Sequence, residues 1–199
     1  MSIKQTNLNL FNYKRRATVP VQVGSLMLGG KYPVRVQSMT NTSTMDTEGS
    51  VAQIMRIVER GGELVRLTTQ GSREAVNLGA IKECAAKAGC NVPLVADVHF
   101  NASVADVAAQ YADKVRVNPG NYVDTARTFK YIEYTDEEYA LELERLNERF
   151  TAFLALCKKE GKAIRVGVNH GSLSDRIMSR YGDTPEGVVE SCMEFLRIC

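Results

Sequence analysis

The chain has 199 residues, 44% of them hydrophobic, and a formal net charge of +2 at pH 7. This length allows one domain with a substantial core, and the small charge lacks the basic excess typical of nucleic-acid-binding surfaces. No apolar stretch approaches the ~20 residues that a membrane-spanning helix needs. We therefore expect neither a nucleic acid nor a membrane as a partner.

The amino-terminal segment and the cysteines predict a cytoplasmic location. Residues 1–15 are polar and are expected to be flexible. Their apolar run, Leu8–Phe11, is too short for the core of a signal peptide. The five cysteines are an odd number and form no Cys-x-x-Cys pair. We therefore expect reduced thiols that pack in the core, and neither a disulfide framework nor a metal site.

Residues 16–32 have the pattern of a β-hairpin. Two short apolar segments, Thr18–Val23 and Leu26–Leu28, flank the turn residues Gly24 and Ser25. We expect this hairpin to plug one end of the domain that follows it, which comprises residues 33–199.

Residues 33–199 alternate between strands and helices. Apolar runs bounded by turn residues predict strands at Pro33–Ser38, Glu63–Thr68, Val92–Val98, Lys114–Asn118 and in a run that begins at Ala163. Apolar residues at helical spacing, with caps and glycine stops, predict six helices. They are expected at about 46–60, from a Ser72 cap to Gly89, from Asn101 or Ser103 to Tyr111, from Thr135 to Gly161, from Ser174 to Tyr181 and from Thr184 onwards. Residues 135–138 match a capping box at the start of the fourth.

Most of the predicted strands lie about 30 residues apart, as expected of repeated β/α units with right-handed connections. A complete (β/α)8 barrel takes ~250 residues, so five units are too few to close one. We predict an α/β fold that is a partial TIM-type barrel of about five β/α units, preceded by the hairpin. An open α/β sheet is the alternative.

Every predicted strand carries charge among branched apolar neighbours. The residues concerned are Arg35, Arg66, Arg116 and Arg165, with Asp97 and His99 on the third strand. Burying an uncompensated charge costs on the order of a few kcal/mol, so an anion is expected among the arginines. Side chains alternate along a strand, and the resulting same-face pairs are Arg66 with Thr68, Asp97 with His99, Arg116 with Asn118, and Arg165 with Asn169. These faces meet at the carboxyl ends of parallel strands, where ligands bind.

Some of these assignments have structural alternatives. The arginines could instead pair with strand acids such as Asp97 or Glu63. For Arg35, a salt bridge at the barrel end is as plausible as a contact with a ligand. His99 could act as an acid or base beside Asp97, but we favour a role in lining the pocket.

Four motifs carry a resemblance to a known family: Val36–Thr42, Pro93–Phe100, Arg116–Asn121 and Ile164–Asn169. They occur in the family's order within residues 16–198, which is far more specific than one glycine motif. On these motifs the chain resembles the amino-terminal portion of the 4-hydroxy-3-methylbut-2-enyl diphosphate synthases of the non-mevalonate isoprenoid pathway. The long helical connection between Asn121 and Ala163 resembles the larger three-domain form of that family.

The resemblance implies a TIM-type barrel of an oxidoreductase that acts on CH or CH2 groups. Its substrate is 2-C-methyl-D-erythritol 2,4-cyclodiphosphate, which is reduced to (E)-4-hydroxy-3-methylbut-2-enyl diphosphate by two electrons from a ferredoxin or flavodoxin through a [4Fe-4S] cluster. The family pattern places Arg66, Arg116, Asn118, Arg165 and Asn169 on the diphosphate, and Asp97, His99, Met39 and Thr40 around the pocket. The catalytic residue is not identified.

The family's carboxyl-terminal iron-sulfur domain and its last barrel strands have no counterpart here, and no cysteine of this chain matches a cluster ligand. We therefore expect the chain to be inactive alone and, because an incomplete barrel exposes strand edges, to form homo-oligomers. Two other hypotheses remain open: an anion-binding barrel enzyme of the pterin-binding synthase type, and a non-catalytic interaction domain.

Overall fold

The computed structural model describes residues 16–124 and 133–199. Its first element is the predicted hairpin, in which β1 (Val21–Val23) pairs antiparallel with β2 (Leu26–Leu28). Gly24 forms the turn with a left-handed backbone (φ 55°), a conformation that favours glycine. The prediction that residues 1–15 are flexible lies outside the described residues.

Five strands form one parallel sheet in the order β3-β4-β5-β6-β7. They are β3 (Gln37–Met39), β4 (Leu64–Thr69), β5 (Leu94–Val98), β6 (Lys114–Val117) and β7 (Ala163–Val166). The helices of the described residues are α1 (Thr47–Glu59), α2 (Ser72–Lys87), α3 (Ala102–Tyr111), α4 (Asp136–Lys159), α5 (Asp175–Tyr181) and α6 (Pro185–Ile198). This arrangement confirms the predicted succession of parallel strands joined by helices.

Several predicted boundaries were shifted by one or more residues, and two of these differences have a clear physical reason. The first strand of the sheet begins only at Gln37, because the backbone N–H of Val36 is bound by the Glu63 carboxylate instead of a neighbouring strand. Ser72 is the first residue of α2 and not its cap. Gly71 occupies the cap position with an extended backbone, and no side chain caps this helix.

The two faces of the sheet have different contents. One face packs apolar side chains against the helices, and its buried residues include Val65, Leu67, Ala96, Val98, Val115 and Val117. The opposite face is called the inner face here. At the amino-terminal ends of the strands, Val23 of the hairpin packs against Leu64, Val95 and Ala163 of this inner face. The hairpin therefore plugs that end of the sheet, as predicted, and the polar residues of the inner face lie towards the carboxyl ends.

The described sheet is open at both edges, with β3 at one side and β7 at the other. The run that begins at Ala163 was predicted to be a buried strand with a guanidinium inside it. Instead Arg165 is exposed, because β7 pairs with β6 on one side and with no described strand on the other.

Helix α4 is the longest described helix, with 24 residues, and it lies between β6 and β7 in the chain. It begins at the predicted capping box, in which the side chains of Thr135 and Glu138 bind each other's backbone N–H groups. Its Phe150 packs edge-on against Tyr122 and Phe195 in the core. Of the helices in residues 16–124 and 133–199, none is long and apolar enough to cross a membrane.

Candidate functional site

Two of the predicted arginines converge on one carboxylate of the inner face. Arg66 Nε lies 3.3 Å from Asp97 Oδ2, and Arg116 Nη1 lies 3.1 Å from Asp97 Oδ1. Asp97 is only 2% exposed, and a carboxylate buried this deeply needs the cations on either side of it. The three residues belong to neighbouring strands, with Asp97 and Arg116 directly in register. The structural ion pairing considered from the sequence therefore occurs here.

Gly167, the residue directly after β7, leaves space for the Arg116 guanidinium. Arg116 Nη2 donates a 2.6 Å hydrogen bond to the carbonyl oxygen of Gly167. A Cβ atom at position 167 would lie 2.4 Å from Arg116 Nε, far inside van der Waals contact. The motif that follows β7 therefore needs glycine at this position because the arginine side chain crosses directly over its backbone.

The predicted pocket residues Met39, the last residue of β3, and Thr40, which follows it, lie next to Arg66. The Sδ atom of Met39 accepts hydrogen bonds from Arg66 Nε and Nη2 at 3.3 and 3.2 Å. Thr40 is buried, and its Oγ1 has no hydrogen-bond partner among the described residues. The thioether is a weak acceptor, so it orients the guanidinium without neutralising its charge.

Arg35 lies outside this group. Its guanidinium forms a 2.7 Å ion pair with Glu63 and donates to the carbonyl oxygen of Met27 in the hairpin. Of the two alternatives weighed for Arg35, the structure contains the salt bridge.

Sequence reasoning missed Lys114, the first residue of β6. Its side chain lies on the inner face, is 9% exposed, and donates a 3.3 Å hydrogen bond to Gln37 on β3. The signal was present, because Lys114 and Arg116 are two residues apart on one strand and therefore share a face. The missing information was that the lysine reaches across the inner face and does not project from the sheet end into solvent.

The inner face has an excess of positive charge. Its cations are Arg66, Lys114, Arg116 and Arg165, and the carboxylate among them is that of Asp97. Arg165 lies in register with Arg116, and neither Arg165 nor Lys114 forms an ion pair with any described residue. One carboxylate cannot neutralise four cations, so the face is suited to bind an anion with more than one negative charge.

The proximity of these cations affects their protonation. Burial lowers the pKa of Lys114, and the charges of Arg165 and Arg66 lower it further. Burial likewise lowers the pKa of Arg116, with Arg66 and Arg165 adding to the effect while Asp97 opposes it. The free protein therefore bears an electrostatic cost on the inner face, which a bound anion would relieve.

Replacing Lys114 with methionine tests this cost. We expect Lys114→Met to raise the free energy of unfolding at pH 7 by roughly 1–2 kcal/mol, because the variant buries no unpaired ammonium group. The folded-state pKa is below the unfolded value of 10.5, so the folded wild type binds fewer protons than the unfolded chain as the pH rises. The difference in the free energy of unfolding between the variant and the wild type should therefore shrink as the pH rises from 7 to 10.5.

Urea unfolding followed by circular dichroism at several pH values measures this difference. Lys82→Met is the matched control, since Lys82 forms an ion pair with Asp113 and the variant should gain no stability. A Lys114→Met variant that is less stable than the wild type throughout this pH range would contradict the prediction.

The predicted pocket residue His99 follows β5 and is half-buried. Its Nε2 atom lies 3.8 Å from Asp97 Oδ2, and its Nδ1 atom is buried without a hydrogen-bond partner among the described residues. The ring therefore borders the charged group, and the 3.8 Å distance is too long for a hydrogen bond between His99 and Asp97.

Two polar turns close the carboxyl end of the inner face. Asn118 is buried, and its Nδ2 atom donates to Ser172 Oγ at 2.8 Å across the turns that follow β6 and β7. Asn169 is exposed and uses its Oδ1 atom to accept from the N–H of Gly171. A Cβ atom at Gly120 would lie 1.6 Å from the carbonyl oxygen of Ser172, so the two backbones are in direct contact. The structure thus brings the two asparagine-bearing turns together.

Two cavities of the described residues lie away from the inner face. One of about 500 Å³ lies near the hairpin turn and includes Lys82, Cys90 and Asp113 in its lining. Another of about 560 Å³ is lined by residues of α3 and α4, including Ser103 and Arg149. Neither cavity is lined by a residue that the sequence predicted for the site. The inner face is therefore recognised as a candidate site by its charge and not by a deep cavity.

The described residues do not fit an iron-sulfur cluster. All five cysteines are free thiols, and two of them, Cys90 and Cys157, are buried. Within residues 16–124 and 133–199, no three His, Cys, Asp or Glu side chains lie close enough together to hold a metal ion. A [4Fe-4S] cluster needs four ligands, usually thiolates, and this part of the chain does not bring such a set together.

Comparison with known proteins identifies close relatives. The family described as the GcpE TIM-barrel domain matches residues 18–199. A protein of Bacteroides thetaiotaomicron named 4-hydroxy-3-methylbut-2-en-1-yl diphosphate synthase (flavodoxin) is 68% identical over 192 residues, which are 96% of this chain and 31% of that protein. A protein of the same name from Porphyromonas gingivalis is 50% identical and covers 96% of this chain and 33% of its own length.

The chain therefore spans about a third of the length of the curated relatives it matches. Among solved structures, a dihydropteroate synthase of Burkholderia cenocepacia aligns with 85% of this chain and 72% of its own at a TM-score of 0.41 and 16% identity, a similarity too weak to support an argument. The family match agrees with the partial TIM-type barrel predicted from the sequence, and it favours the diphosphate synthase hypothesis over the two others.

Proposed function

The chain belongs to the GcpE TIM-barrel domain family, and on this basis we propose that it is the substrate-binding part of an oxidoreductase that acts on a cyclic diphosphate. The substrate is 2-C-methyl-D-erythritol 2,4-cyclodiphosphate and the product is (E)-4-hydroxy-3-methylbut-2-enyl diphosphate. Two electrons and two protons enter, the ring opens, and one water leaves. The class of the enzyme is an oxidoreductase acting on CH or CH2 groups.

The charge of the inner face is the observation that carries this proposal. Arg66 and Arg116 are held by Asp97 on neighbouring strands, and Arg165 lies in register beside Arg116. Guanidinium groups bind phosphate oxygens through paired hydrogen bonds, so three of them match a group with two phosphates. Lys114 adds a further cation on the same face. The chain's contribution is to bind and orient the diphosphate.

The remaining predicted residues surround this group. We assign Asn118 and Asn169 to the diphosphate from the two turns, and Met39, Thr40 and His99 to the lining. The buried, unpartnered Oγ1 of Thr40 and Nδ1 of His99 support contact with a polar ligand, since buried polar atoms normally have partners.

The electrons come from outside this chain. The relatives are named as flavodoxin enzymes, and we propose flavodoxin as the donor to the intact protein. A [4Fe-4S] cluster would carry the electrons to the substrate when bound, and its ligands are not assembled by the described residues. The 199-residue chain alone is therefore expected to bind substrate without turnover. The free thiols agree with a cytoplasmic location.

Titration calorimetry of the 199-residue chain with the cyclodiphosphate, pyrophosphate and inorganic phosphate tests the proposal. We expect heat with the two diphosphates, competition between them at one site, and much weaker binding of phosphate. An absence of heat with millimolar cyclodiphosphate would refute the assignment of this chain as the substrate-binding part.

The open edges of the sheet predict self-association. Strands β3 and β7 have unpaired backbone groups on one side among the described residues, and Val189, Met193 and Leu196 form an exposed apolar stripe on α6. Such edges and stripes recruit another chain, so the isolated chain should form dimers or larger assemblies. Size-exclusion chromatography with light scattering measures the mass. A mass that stays monomeric over about two decades of protein concentration would contradict this expectation.

A further inference from the structure

A second buried charge cluster lies outside the inner face. Arg176 of α5 is 2% exposed and donates a 2.6 Å hydrogen bond to Glu194 of α6 through Nη1. On its other side, Arg176 contacts Asp124 through Nη2 and Nε at 3.3 and 3.4 Å. Asp124 lies six residues after Asn118, in the loop that follows β6. One guanidinium therefore joins a helix to the loop that follows β6.

Aromatic contacts complete this cluster. The hydroxyl of Tyr139, at the start of α4, donates to Glu194. The guanidinium carbons of Arg176 and Arg180 lie 4.9 and 4.0 Å from the centre of the Tyr139 ring. Glu194 and Asp124 raise the pKa of Arg176 although burial lowers it, so this arginine remains charged. The cluster thus connects α4, α5 and α6 with the loop after β6.

A buried ion pair is a weak source of net stability, because apolar residues of similar volume often stabilise a fold as well or better. In some proteins the role of such a pair is to specify one geometry. The geometry defined here is that of the two polar turns. Gly120 touches Ser172 within them, and Asp124 and Arg176, each four residues further along the chain, are bound to each other. The segments are therefore fastened to each other at two points.

We propose that Arg176 is a positioning residue of the anion site: its bond to Asp124 holds the loop after β6 against the turn after β7, so that the Asn118 side chain stays next to the bound diphosphate. This inference rests on the proposed function of the inner face. In this proposal Arg176 does not bind the diphosphate directly, and it acts through Asp124, the backbone of the loop, and the bond between Asn118 and Ser172.

Asp124→Asn is the informative variant, because it weakens the bond to the loop while leaving the pair of Arg176 with Glu194 intact. We expect it to weaken pyrophosphate binding by about 5-fold, the effect of one hydrogen bond, and to speed amide hydrogen exchange in residues 118–123. Asp124→Glu keeps the carboxylate and should restore much of the affinity. The control is Glu63→Gln, which weakens the ion pair with Arg35 near the hairpin and should change neither measurement.

The outcomes separate this inference from the proposed function. If the wild type binds pyrophosphate and Asp124→Asn binds it equally well, the positioning role is overturned and the proposed function stands. If the wild type binds neither diphosphate, the proposed function fails. Exchange in residues 118–123 that is unchanged in Asp124→Asn overturns the positioning role whatever the wild type binds.

Discussion

Replacing Arg116 with methionine is expected to weaken the binding of pyrophosphate to this chain by about 100-fold. A charge-assisted hydrogen bond contributes roughly 1.5–3 kcal/mol, and each 1.4 kcal/mol is a factor of ten in affinity. Arg116 is central because Asp97 and the carbonyl oxygen of Gly167 together fix its guanidinium on the inner face. Calorimetric titration with pyrophosphate measures the loss.

A loss of folding must be separated from a loss of binding in this variant. Arg116→Met leaves Asp97 with Arg66 as its remaining close arginine, and we expect the free energy of unfolding to fall as well. Adding Asp97→Asn removes the buried carboxylate and should recover stability without recovering affinity. Arg35→Met is the matched control, since Arg35 pairs with Glu63 away from the inner-face cations. Wild-type affinity in Arg116→Met would show that the anion binds elsewhere.

Gly120→Ala is expected to lower the free energy of unfolding by about 3 kcal/mol and to remove measurable pyrophosphate binding. Overpacking typically costs 1–3 kcal/mol, and this site lies at or above the top of that range because the obstructing atom belongs to the backbone. The new Cβ atom would lie 1.6 Å from the carbonyl oxygen of Ser172 and 2.8 Å from its carbonyl carbon. The two turns must separate, and Asn118 then loses its contact with Ser172. Denaturant unfolding and calorimetry on the same sample measure both effects.

Gly171→Ala provides the control for this prediction. Its new Cβ atom would meet only Asn169 Oδ1 at 3.6 Å, an ordinary contact, so stability should change by less than about 0.5 kcal/mol. If Gly120→Ala and Gly171→Ala were equally stable, the close contact between the two turns would not exist in solution.

The order of the elements could be predicted because its signals are local. Thr135 and Glu138 form the expected capping box, and Gly24 forms the expected hairpin turn. The carboxyl-terminal limits of α2 and α4 were also correct, since Gly89 and Gly161 have left-handed backbones just beyond them. The start of the first sheet strand was not predictable in this way, because it depends on the Glu63 carboxylate from a distant part of the chain.

The candidate site was predictable to the extent that it follows from alternation along a strand. Arg66, Asp97 and Arg116 were expected on one face, and the structure brings them together. Lys114 was missed because its importance depends on reaching Gln37 across the inner face. The Arg176 cluster was missed because its members are far apart in the chain and acquire their roles only when the helices pack.

Local patterns in the amino-acid sequence were thus sufficient for the succession of strands and helices and for the face on which each strand charge lies. Side-chain alternation and helical spacing are properties of a few adjacent residues and need no knowledge of the remaining chain. The tertiary structure decided which charges neutralise one another. Strand register placed Asp97 between two arginines, and the open edge at β7 left Arg165 exposed. Coulomb interactions depend on distances between residues far apart in sequence, so the net charge offered to a ligand emerges only when the strands are assembled.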